Sequence, residues 1–194
     1  MIECQDVSFS YPASTLPDSE RQAGGALKHI SCTIEDGSFV LLCGTSGCGK
    51  TTMTRLFNGL IPHYHEGTYT GSVYLDGKDT RDLSLFDISL KVGSVFQNPR
   101  SQFFNVDTTS ELAFGPENHG IAEDLVRDRV NREAAQLKLE PLLDRSIFSL
   151  SGGEKQKIAC GSAAAIDPDI YVLDEPSSNL DAYAIADFRQ LLFT

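Results

Sequence analysis

The stretch Gly44-Thr-Ser-Gly-Cys-Gly-Lys-Thr51 decides the fold of this chain. It matches the pattern G-x-x-x-x-G-K-[ST] in full, a pattern in which glycines let the backbone wrap around a chain of phosphates. The short apolar run at residues 38–43 before it predicts a fully buried strand of the parallel kind. A helix is predicted after it, over residues 50–60. The order of strand, glycine-rich loop and helix predicts a phosphate-binding loop in an α/β protein.

The phosphate loop predicts which groups would hold a nucleotide. Lys50 would reach the β- and γ-phosphates, and the Thr51 hydroxyl would ligate Mg²⁺. The start of the helix adds the positive end of its dipole. Cys48 is expected to fill space in the loop rather than to act as a redox switch. The predicted nucleotide-binding residues of this segment are Gly44, Thr45, Ser46, Gly47, Cys48, Gly49, Lys50, Thr51 and Thr52.

Composition describes an acidic, folded chain. The 194 residues include 16 Lys+Arg and 27 Asp+Glu, a formal net charge of −11, and 41% are hydrophobic. The hydrophobic content excludes a disordered acidic tail. The acidity argues against nucleic acid as the main partner, because proteins that track phosphates present a basic face. We therefore expect no nucleic acid among the partners.

Cysteine usage and the N-terminal residues indicate a cytosolic chain. The five cysteines form no C-x-x-C pair, which is typical of buried or incidental thiols in a reducing compartment. Residues 1–6 lack the basic and apolar regions of a signal peptide, and the apolar runs are too short to span a bilayer. We expect any membrane role to come through a partner.

Predicted strands and helices follow one another along the chain, and a last helix is predicted from Asp181. From Asn98 the pattern changes, and residues 109–114 and 123–139 show helical spacing with a charged outer face. We therefore predict a helical insertion at residues 99–150 of an α/β domain. The predicted strands are residues 2–11, 27–35, 92–96 and 170–173, with a hairpin at 72–78 that turns at Asp76-Gly77.

Two adjacent carboxylates follow the predicted strand at residues 170–173. Strand ends are where an open α/β sheet binds its ligands. Asp174 would hold the Mg²⁺ shell, and Glu175 would polarise the water that attacks the γ-phosphate. An Asp-Glu-Pro sequence by itself more often marks a strand-to-turn boundary. Its combination with the upstream phosphate loop favours the catalytic interpretation.

A second glycine-rich segment, Leu150-Ser-Gly-Gly-Glu-Lys-Gln156, precedes a helical run. Ser151, Gly152 and Gly153 would form a helix N-terminus that can accept an anion. Taken alone, this sequence is typical of an ordinary helix cap. Its position shortly before Asp174 and Glu175 favours a functional role.

Along the chain the three motifs are Gly44 to Thr51, Leu150 to Gln156 and Val172 to Pro176, and this order resembles that of the ATP-binding-cassette (ABC) ATPases. The resemblance covers essentially the whole chain. The Leu-Ser-Gly-Gly element separates this family from other P-loop proteins. The resemblance implies an α/β fold: a P-loop NTPase core with an antiparallel β subdomain and an inserted helical subdomain. Residues 1–98 and 151–194 would form the nucleotide-binding core with its β subdomain, and residues 99–150 the helical subdomain.

The resemblance also assigns roles to single residues. Tyr11 is similar to the aromatic residue that stacks on adenine, although a simple strand-end aromatic remains an alternative. Gln97 resembles the glutamine that touches metal and water, which makes it a catalytic and a metal-binding candidate. Residues 178–181 resemble the D-loop. Asp181, like Ser151 to Gly153, would contact the ATP of a partner cassette.

Residues 96–102 and 111–117 are similar to the cassettes of energy-coupling-factor (ECF) importers, which take up vitamins or transition-metal ions. Glu154, Lys157 and Asn179 depart from common family residues, which bears on the subgroup more than on the chemistry. The resemblance implies ATP and Mg²⁺ as cofactors. It implies two partners, a second ABC ATPase subunit, identical or related, and an integral membrane transporter subunit. The chain would lie at the cytoplasmic face of the cell membrane.

The family also uses a switch histidine after the D-loop, and the four histidines of this sequence all precede Asp181. We interpret the chain as C-terminally truncated and expect it to bind nucleotide but to hydrolyse it weakly or not at all. Two alternatives stay open. One is a non-transport ABC ATPase of translation or DNA repair, and the other is a cassette that binds ATP without turnover. The transported substrate is not encoded in this subunit.

Overall fold

The computed structural model describes residues 1–12, 26–178, 180, 185 and 189. The chain divides into two compact units, Met1–Val92 and Gly93–Thr194. None of the helices in the described part of the chain combines the length and the apolar character that a bilayer crossing requires.

The first unit is built on an antiparallel sheet of four strands in the order β2-β1-β3-β4. The central strand β1 buries Ile2 and Cys4, and then Val7 and Phe9. The odd spacing between Cys4 and Val7 coincides with a register shift, where Asp6 has a φ of 49°. This bulge returns the apolar residues to the core face. The strands are β1 (Ile2–Ser10), β2 (Ala26–Ile34), β3 (Thr68–Leu75) and β4 (Lys78–Asp79).

The predicted hairpin at residues 72–78 is confirmed. β3 pairs with β4 through Leu75 and Lys78. The two turn residues, Asp76 and Gly77, have φ angles of 49° and 78°. Positive φ at both central positions is the geometry that an Asp-Gly turn favours between antiparallel strands.

Helices in the first unit pack with the buried side chains of Leu56, Ile61 and Ile88. The phosphate-loop helix ends at Phe57, earlier than the predicted 50–60, because Gly59 adopts a left-handed conformation with φ 74°. A Cβ on Gly59 would lie 2.3 Å from Ile88 Cδ1, so only glycine allows this close approach. The helices are α1 (Lys50–Phe57), α2 (Leu60–His63) and α3 (Leu85–Ser89).

In the part of the second unit that the structure describes, two strands pair and three helices pack around a shared core. Its strands are β5 (Val92–Val95) and β6 (Ile170–Leu173), which form a two-stranded sheet. Its helices are α4 (Thr108–Asn118), α5 (Glu123–Gln136) and α6 (Gly152–Ala165). The buried residues of this core include Leu112, Val130, Leu139 and Ile158. The helical spacing at residues 109–114 and 123–139 is thus confirmed, with α4 and α5 both inside the predicted 99–150.

Residues 38–43 contradict the predicted buried parallel strand. They follow the turn at Asp36-Gly37 without forming a strand, and Phe39 and Leu41 are 66% and 75% exposed. An apolar run signals a preference for burial but does not specify a pairing partner. The described sheet of the first unit forms through antiparallel contacts of β1 with β2 and β3, and the run lies outside them. Of the helix predicted from Asp181, the structure describes residues 185 and 189, and both are helical.

Candidate functional site

Glycine conformations shape the phosphate loop. Gly47 and Gly49 have φ angles of 77° and 101°, where side chains other than glycine are strained. The backbone N–H of Cys48 donates to the carbonyl of Thr45 at 3.3 Å and closes the turn. A Cβ on Gly49 would lie 2.8 Å from Leu27 Cδ2. The fold therefore needs glycine at residue 49 both for backbone conformation and for space.

Lys50 begins helix α1 and folds back over the loop. Its Nζ donates to the carbonyls of Gly44 and Thr45 at 3.2 and 3.1 Å. Gly49 caps the helix without a side-chain hydrogen bond, and the first turn contains no acidic residue. The positive end of the helix and the Lys50 ammonium thus lie together with no carboxylate of that turn to neutralise them. This arrangement suits a phosphate.

The remaining predicted residues of the segment lie around this helix start. Thr45 and Ser46 are exposed, whereas Thr52 is buried. Thr51 is half-buried in the first turn of α1, and its carbonyl accepts from the Thr54 hydroxyl at 2.9 Å. Cys48 is exposed, and its Sγ occupies the space that a Cβ on residue 44 would need. This contact is consistent with the space-filling role predicted for Cys48.

Tyr11 lies half-buried just after the end of β1. Its hydroxyl oxygen accepts from Arg55 Nη1 at 2.8 Å, and the Arg55 guanidinium lies 5.9 Å from the ring centroid. Phe9 and His65 meet the ring edge to face, with centroids at 4.8 and 6.0 Å. Burial, and next the positive charge of Arg55, lower the pKa of His65. The adenine contact of Tyr11 stays a prediction.

Arg55 was missed by the sequence reasoning, and so was His65. Arg55 lies on α1 in the turn after Lys50, so its helical position relative to the loop was a usable signal. His65 follows α2 and carried no signal, because its approach to Tyr11 depends on tertiary packing.

The structure brings Gln97 and Glu175 together across 78 residues of sequence. Gln97 Nε2 donates to Glu175 Oε2 at 2.8 Å. Gln97 follows the end of β5 and Glu175 follows the end of β6, so pairing of the two strands places both side chains at one edge. Glu175 has a φ of 46°, in the left-handed region that is unusual for residues with a side chain. Such strain is often found at functional sites.

Asp174 differs from its neighbour Glu175 in burial. Asp174 is only 8% exposed, and its backbone N–H donates to the carbonyl of Val95 at 2.9 Å, which continues the β5–β6 pairing. Glu175 is exposed. Backbone pairing thus fixes the position of the buried Asp174, while the Glu175 side chain is exposed.

Gln102 supports the loop that carries Gln97, and the sequence reasoning gave it no role. Its Oε1 accepts from the backbone N–H of Phe96 at 3.2 Å, and its Nε2 donates to the carbonyl of Ala159 at 3.3 Å. The side chain thereby ties the residue before Gln97 to helix α6. The signal was present, because Gln102 lies within the quoted stretch 96–102.

Ser151 begins helix α6 with a complete capping box. The Ser151 hydroxyl accepts from the backbone N–H of Glu154 at 3.3 Å, and Glu154 Oε2 accepts from the backbone N–H of Ser151 at 2.7 Å. Arg145 Nη1 donates to Glu154 Oε1 at 3.3 Å. The backbone N–H of Ser151 lowers the pKa of Glu154, and the interaction with the Ser151 side chain lowers it further. Gly152 and Gly153 are the first two residues of the helix.

A magnesium ion fits the donor types of the predicted residues. Among the residues that the structure describes, no group of three or more His, Cys, Asp or Glu side chains forms a metal site. Mg²⁺ does not require such a group, because it binds through one or two carboxylates together with substrate phosphates and water. Thr51, Asp174 and Gln97 supply a hydroxyl, a carboxylate and an amide oxygen. The phosphate loop belongs to the first unit, Asp174 and Gln97 to the second, and Asp181 lies outside the described residues.

Comparison with known proteins identifies the class. A family model described as ABC transporter matches residues 27–178. The chain therefore belongs to the ABC transporter family, with the α/β P-loop fold, antiparallel sheet and helical subdomain of ABC ATPases. ABC ATPases bind ATP, and a solved relative holds ADP and phosphate.

Particular relatives extend over most of the chain. A putative ABC transporter ATP-binding protein of Treponema denticola is 47% identical over 192 residues, which are 99% of this chain and 38% of that protein. A putative ABC transporter ATP-binding protein of Pyrococcus horikoshii is 42% identical over 181 residues, 93% of this chain and 61% of that protein. The chain thus spans about two fifths of the length of the first of these relatives.

Two solved structures share the fold. CbiO1 of Clostridium perfringens, described as part of the ABC transporter complex cbiONQ, has a TM-score of 0.79 at 27% identity, covering 98% of this chain and 71% of CbiO1. The ATP-binding cassette MJ0796, a dimer bound to ADP and phosphate, has a TM-score of 0.79 at 25% identity. That match covers 99% of this chain and 81% of MJ0796.

Proposed function

We propose that this chain is the ATP-binding and ATP-hydrolysing part of an ABC importer of the ECF type. The observation that carries the proposal is the hydrogen bond between Gln97 and Glu175 beside the buried Asp174. The importer type is supported by residues 96–102 and by the similarity to CbiO1. The substrate class is a vitamin or a transition-metal ion, which a separate membrane subunit would bind.

The residues of this chain would divide the work of hydrolysis. Lys50 and the loop amides bind the phosphates, and the Tyr11 ring offers a face to adenine. Glu175 accepts the proton of the attacking water, while Gln97 holds the Glu175 carboxylate in place. Thr51, Asp174 and Gln97 would hold Mg²⁺, which would neutralise charge on the phosphates. Catalysis then depends mainly on positioning and electrostatics.

A second cassette would complete the site. In this proposal Ser151, Gly152, Gly153 and Asp181 contact the nucleotide of a partner cassette, either a second copy or a related chain. The dimeric cassette MJ0796 supports such an arrangement. A formal net charge of −11 on each chain opposes closure, so nucleotide and metal must stabilise the closed pair. The pair would lie at the cytoplasmic face of the membrane, attached through an integral membrane subunit.

The test compares two Glu-to-Gln variants in the full-length protein assembled with its membrane subunit. Glu175→Gln keeps an oxygen that accepts from Gln97 but removes the base, so kcat should fall by about 100-fold or more while ATP binding persists. Glu66→Gln is the matched control, because Glu66 is exposed in the first unit and lies outside the proposed site. Equal ATPase rates for both variants and the wild type would refute the role of Glu175. Assembly with ribosomes or DNA instead of a membrane subunit would refute the importer.

A further inference from the structure

Two cysteines lie opposite each other on neighbouring strands of the sheet in the first unit. Cys4 on β1 and Cys32 on β2 are directly opposite partners in the antiparallel register. Opposite residues of antiparallel strands have Cα atoms about 4.5 to 5.5 Å apart and side chains on the same face. A disulfide spans Cα distances of roughly 4.4 to 6.8 Å. The backbone therefore holds this pair at a separation that a disulfide can bridge.

The two thiols belong to directly opposite residues of the sheet and differ in exposure. Cys4 is only 3% exposed, whereas Cys32 lies exposed on the edge strand β2. Burial, and next the neighbouring Cys32, raise the pKa of the Cys4 thiol to about 12. Cys32 is therefore the thiol that meets a reagent first, and Cys4 is the thiol behind it.

The other cysteines lack this cross-strand arrangement. Cys43 and Cys48 are exposed, but both lie outside the strands. Cys160 belongs to the second unit, and burial raises the pKa of its thiol to about 12. On its other side Cys4 faces Val73 of β3, which offers no thiol. Cys32 is thus the sulfur to which the register directs Cys4.

We propose that Cys4 and Cys32 form a thiol pair that a low-molecular-weight disulfide, such as oxidised glutathione, converts into a cross-strand disulfide. The Cys32 thiolate attacks one sulfur of the small disulfide, breaks its S–S bond and releases one thiolate. Cys4 then gives its proton to the first released thiolate and attacks Cys32 Sγ. The mixed S–S bond breaks, and the second small group leaves as a thiolate that takes up the proton lost by Cys32. One S–S bond breaks and one forms, so two protein thiols are oxidised and one small disulfide is reduced to two thiols.

The bond would join two strands that each contact a predicted nucleotide-binding residue. It closes a loop between residues 4 and 32, and Tyr11 lies within that loop. On the same strand as Cys32, Leu27 packs where a Cβ on Gly49 would lie. Oxidation would therefore fix β2 to β1 on the side of the sheet that supports the phosphate loop. This inference stands on the sheet register and does not depend on the proposed transport function.

Mass spectrometry tests the pair directly. The folded chain is incubated with oxidised glutathione, the remaining thiols are blocked with N-ethylmaleimide, and the unreduced protein is cleaved after glutamate. Cleavage at Glu3, Glu20 and Glu35 separates Cys4 in peptide 4–20 from Cys32 in peptide 21–35. Cys43 and Cys48 remain together in peptide 36–66. We expect the pair 4–20 and 21–35, lighter by two hydrogens than the separate peptides, at about tenfold or more above any other pair.

Two single variants serve as controls. Cys32→Ser should abolish the linked pair and leave Cys4 unmodified, because the thiol at residue 4 is buried. Cys48→Ser changes an exposed thiol outside the sheet and should leave the linked pair at the wild-type level. The proposal is overturned if Cys32 ends as a glutathione adduct while Cys4 stays unpaired. It is also overturned if Cys32 links to peptide 36–66 instead. The wild-type and Cys48→Ser samples decide this even where Cys32→Ser does not fold.

Discussion

Two glycine-rich segments each precede a helix, and the two helices begin in different ways. At Gly44–Thr51 helix α1 begins after Gly49, without a side-chain cap and without an acidic residue in its first turn. At Leu150–Gln156 helix α6 begins after Ser151, which forms a complete capping box with Glu154. The sequences are similar in composition, but only one helix start is closed by its own side chains.

This difference favours two different roles for the starts of helices α1 and α6. At the start of α1, Gly49 provides no side-chain cap and the Lys50 ammonium lies beside the loop, an arrangement that suits a phosphate. At α6 the side chains of Ser151 and Glu154 accept backbone N–H groups, so this helix keeps its shape without a ligand. We infer that α1 binds the chain's own nucleotide and that α6 offers a preformed end to a partner.

Removal of the loop ammonium should have the largest effect. Lys50→Ala deletes the charge at the start of α1, and we expect ATP affinity to fall by about 100-fold, roughly 2.7 kcal/mol, because charged hydrogen bonds to phosphate are lost. Isothermal titration with Mg·ATP measures this change. Lys78→Ala removes an exposed lysine of the hairpin and should leave the affinity unchanged. If Lys50→Ala binds ATP as tightly as the wild type does, the start of α1 does not bind the nucleotide.

Glycine-to-alanine substitutions should have opposite signs in the two segments. Gly49→Ala meets both a φ of 101° and a contact of 2.8 Å with Leu27 Cδ2, so we expect a loss of about 2 kcal/mol or more in the free energy of unfolding. Gly47→Ala meets open space at φ 77° and should cost about 1 to 2 kcal/mol, from backbone strain alone. Gly152→Ala in α6 should instead stabilise by about 0.5 kcal/mol. Urea unfolding measures all three, and equal effects would contradict the comparison.

The cap of α6 should make a smaller contribution. Ser151→Ala removes the hydroxyl that accepts from the Glu154 backbone N–H, and we expect a loss of about 1 kcal/mol in the free energy of unfolding. Ser151→Asn retains a capping oxygen and should restore most of that loss. Urea unfolding of the two variants checks the pair. If Ser151→Ala is as stable as the wild type, the capping box does not hold the helix start.

The smallest effect concerns pH. The folded chain lowers the pKa of Glu154 below its ordinary value of 4.5 through the Ser151 contacts. The stability that Glu154 contributes is therefore present above pH 4.5 and is lost as the pH falls through the lowered pKa. Glu154→Gln should flatten this part of the stability profile below pH 4.5 and leave the profile near pH 7 parallel to that of the wild type. If the stability of Glu154→Gln falls with pH below 4.5 in the same way as that of the wild type, the Glu154 carboxylate does not stabilise the helix start.

Much of the fold was predictable because its signals are local. The Asp76-Gly77 turn, the helical spacing of α4 and α5, and the strand at residues 170–173 each depend on neighbours in sequence. The end of α1 was misplaced, because the close approach of Gly59 to Ile88 is a tertiary contact. Residues 38–43 were misassigned for the same reason, since an apolar run does not name its strand partner.

The candidate site was predictable in its residues but not in its contacts. Spacing and residue type selected Lys50 and Glu175, and the family resemblance selected Gln97. The hydrogen bond between Gln97 and Glu175 needed the pairing of β5 with β6. The support of Gln102 and the approach of Arg55 to Tyr11 depend on side-chain reach across elements. No local pattern encodes such reach. The assignments of individual site residues therefore remain predictions that the variants above can test.

One titration tests the central claim most directly, namely that the two helix starts serve different nucleotides. Mg·ATP binding is measured on the isolated chain, at concentrations where it is monomeric, for the wild type, Lys50→Ala and Ser151→Ala. The account predicts that Ser151→Ala keeps the wild-type Kd within about twofold, while Lys50→Ala weakens it by about 100-fold. Equal weakening by the two substitutions would show that both helix starts bind the same nucleotide, and would contradict the account.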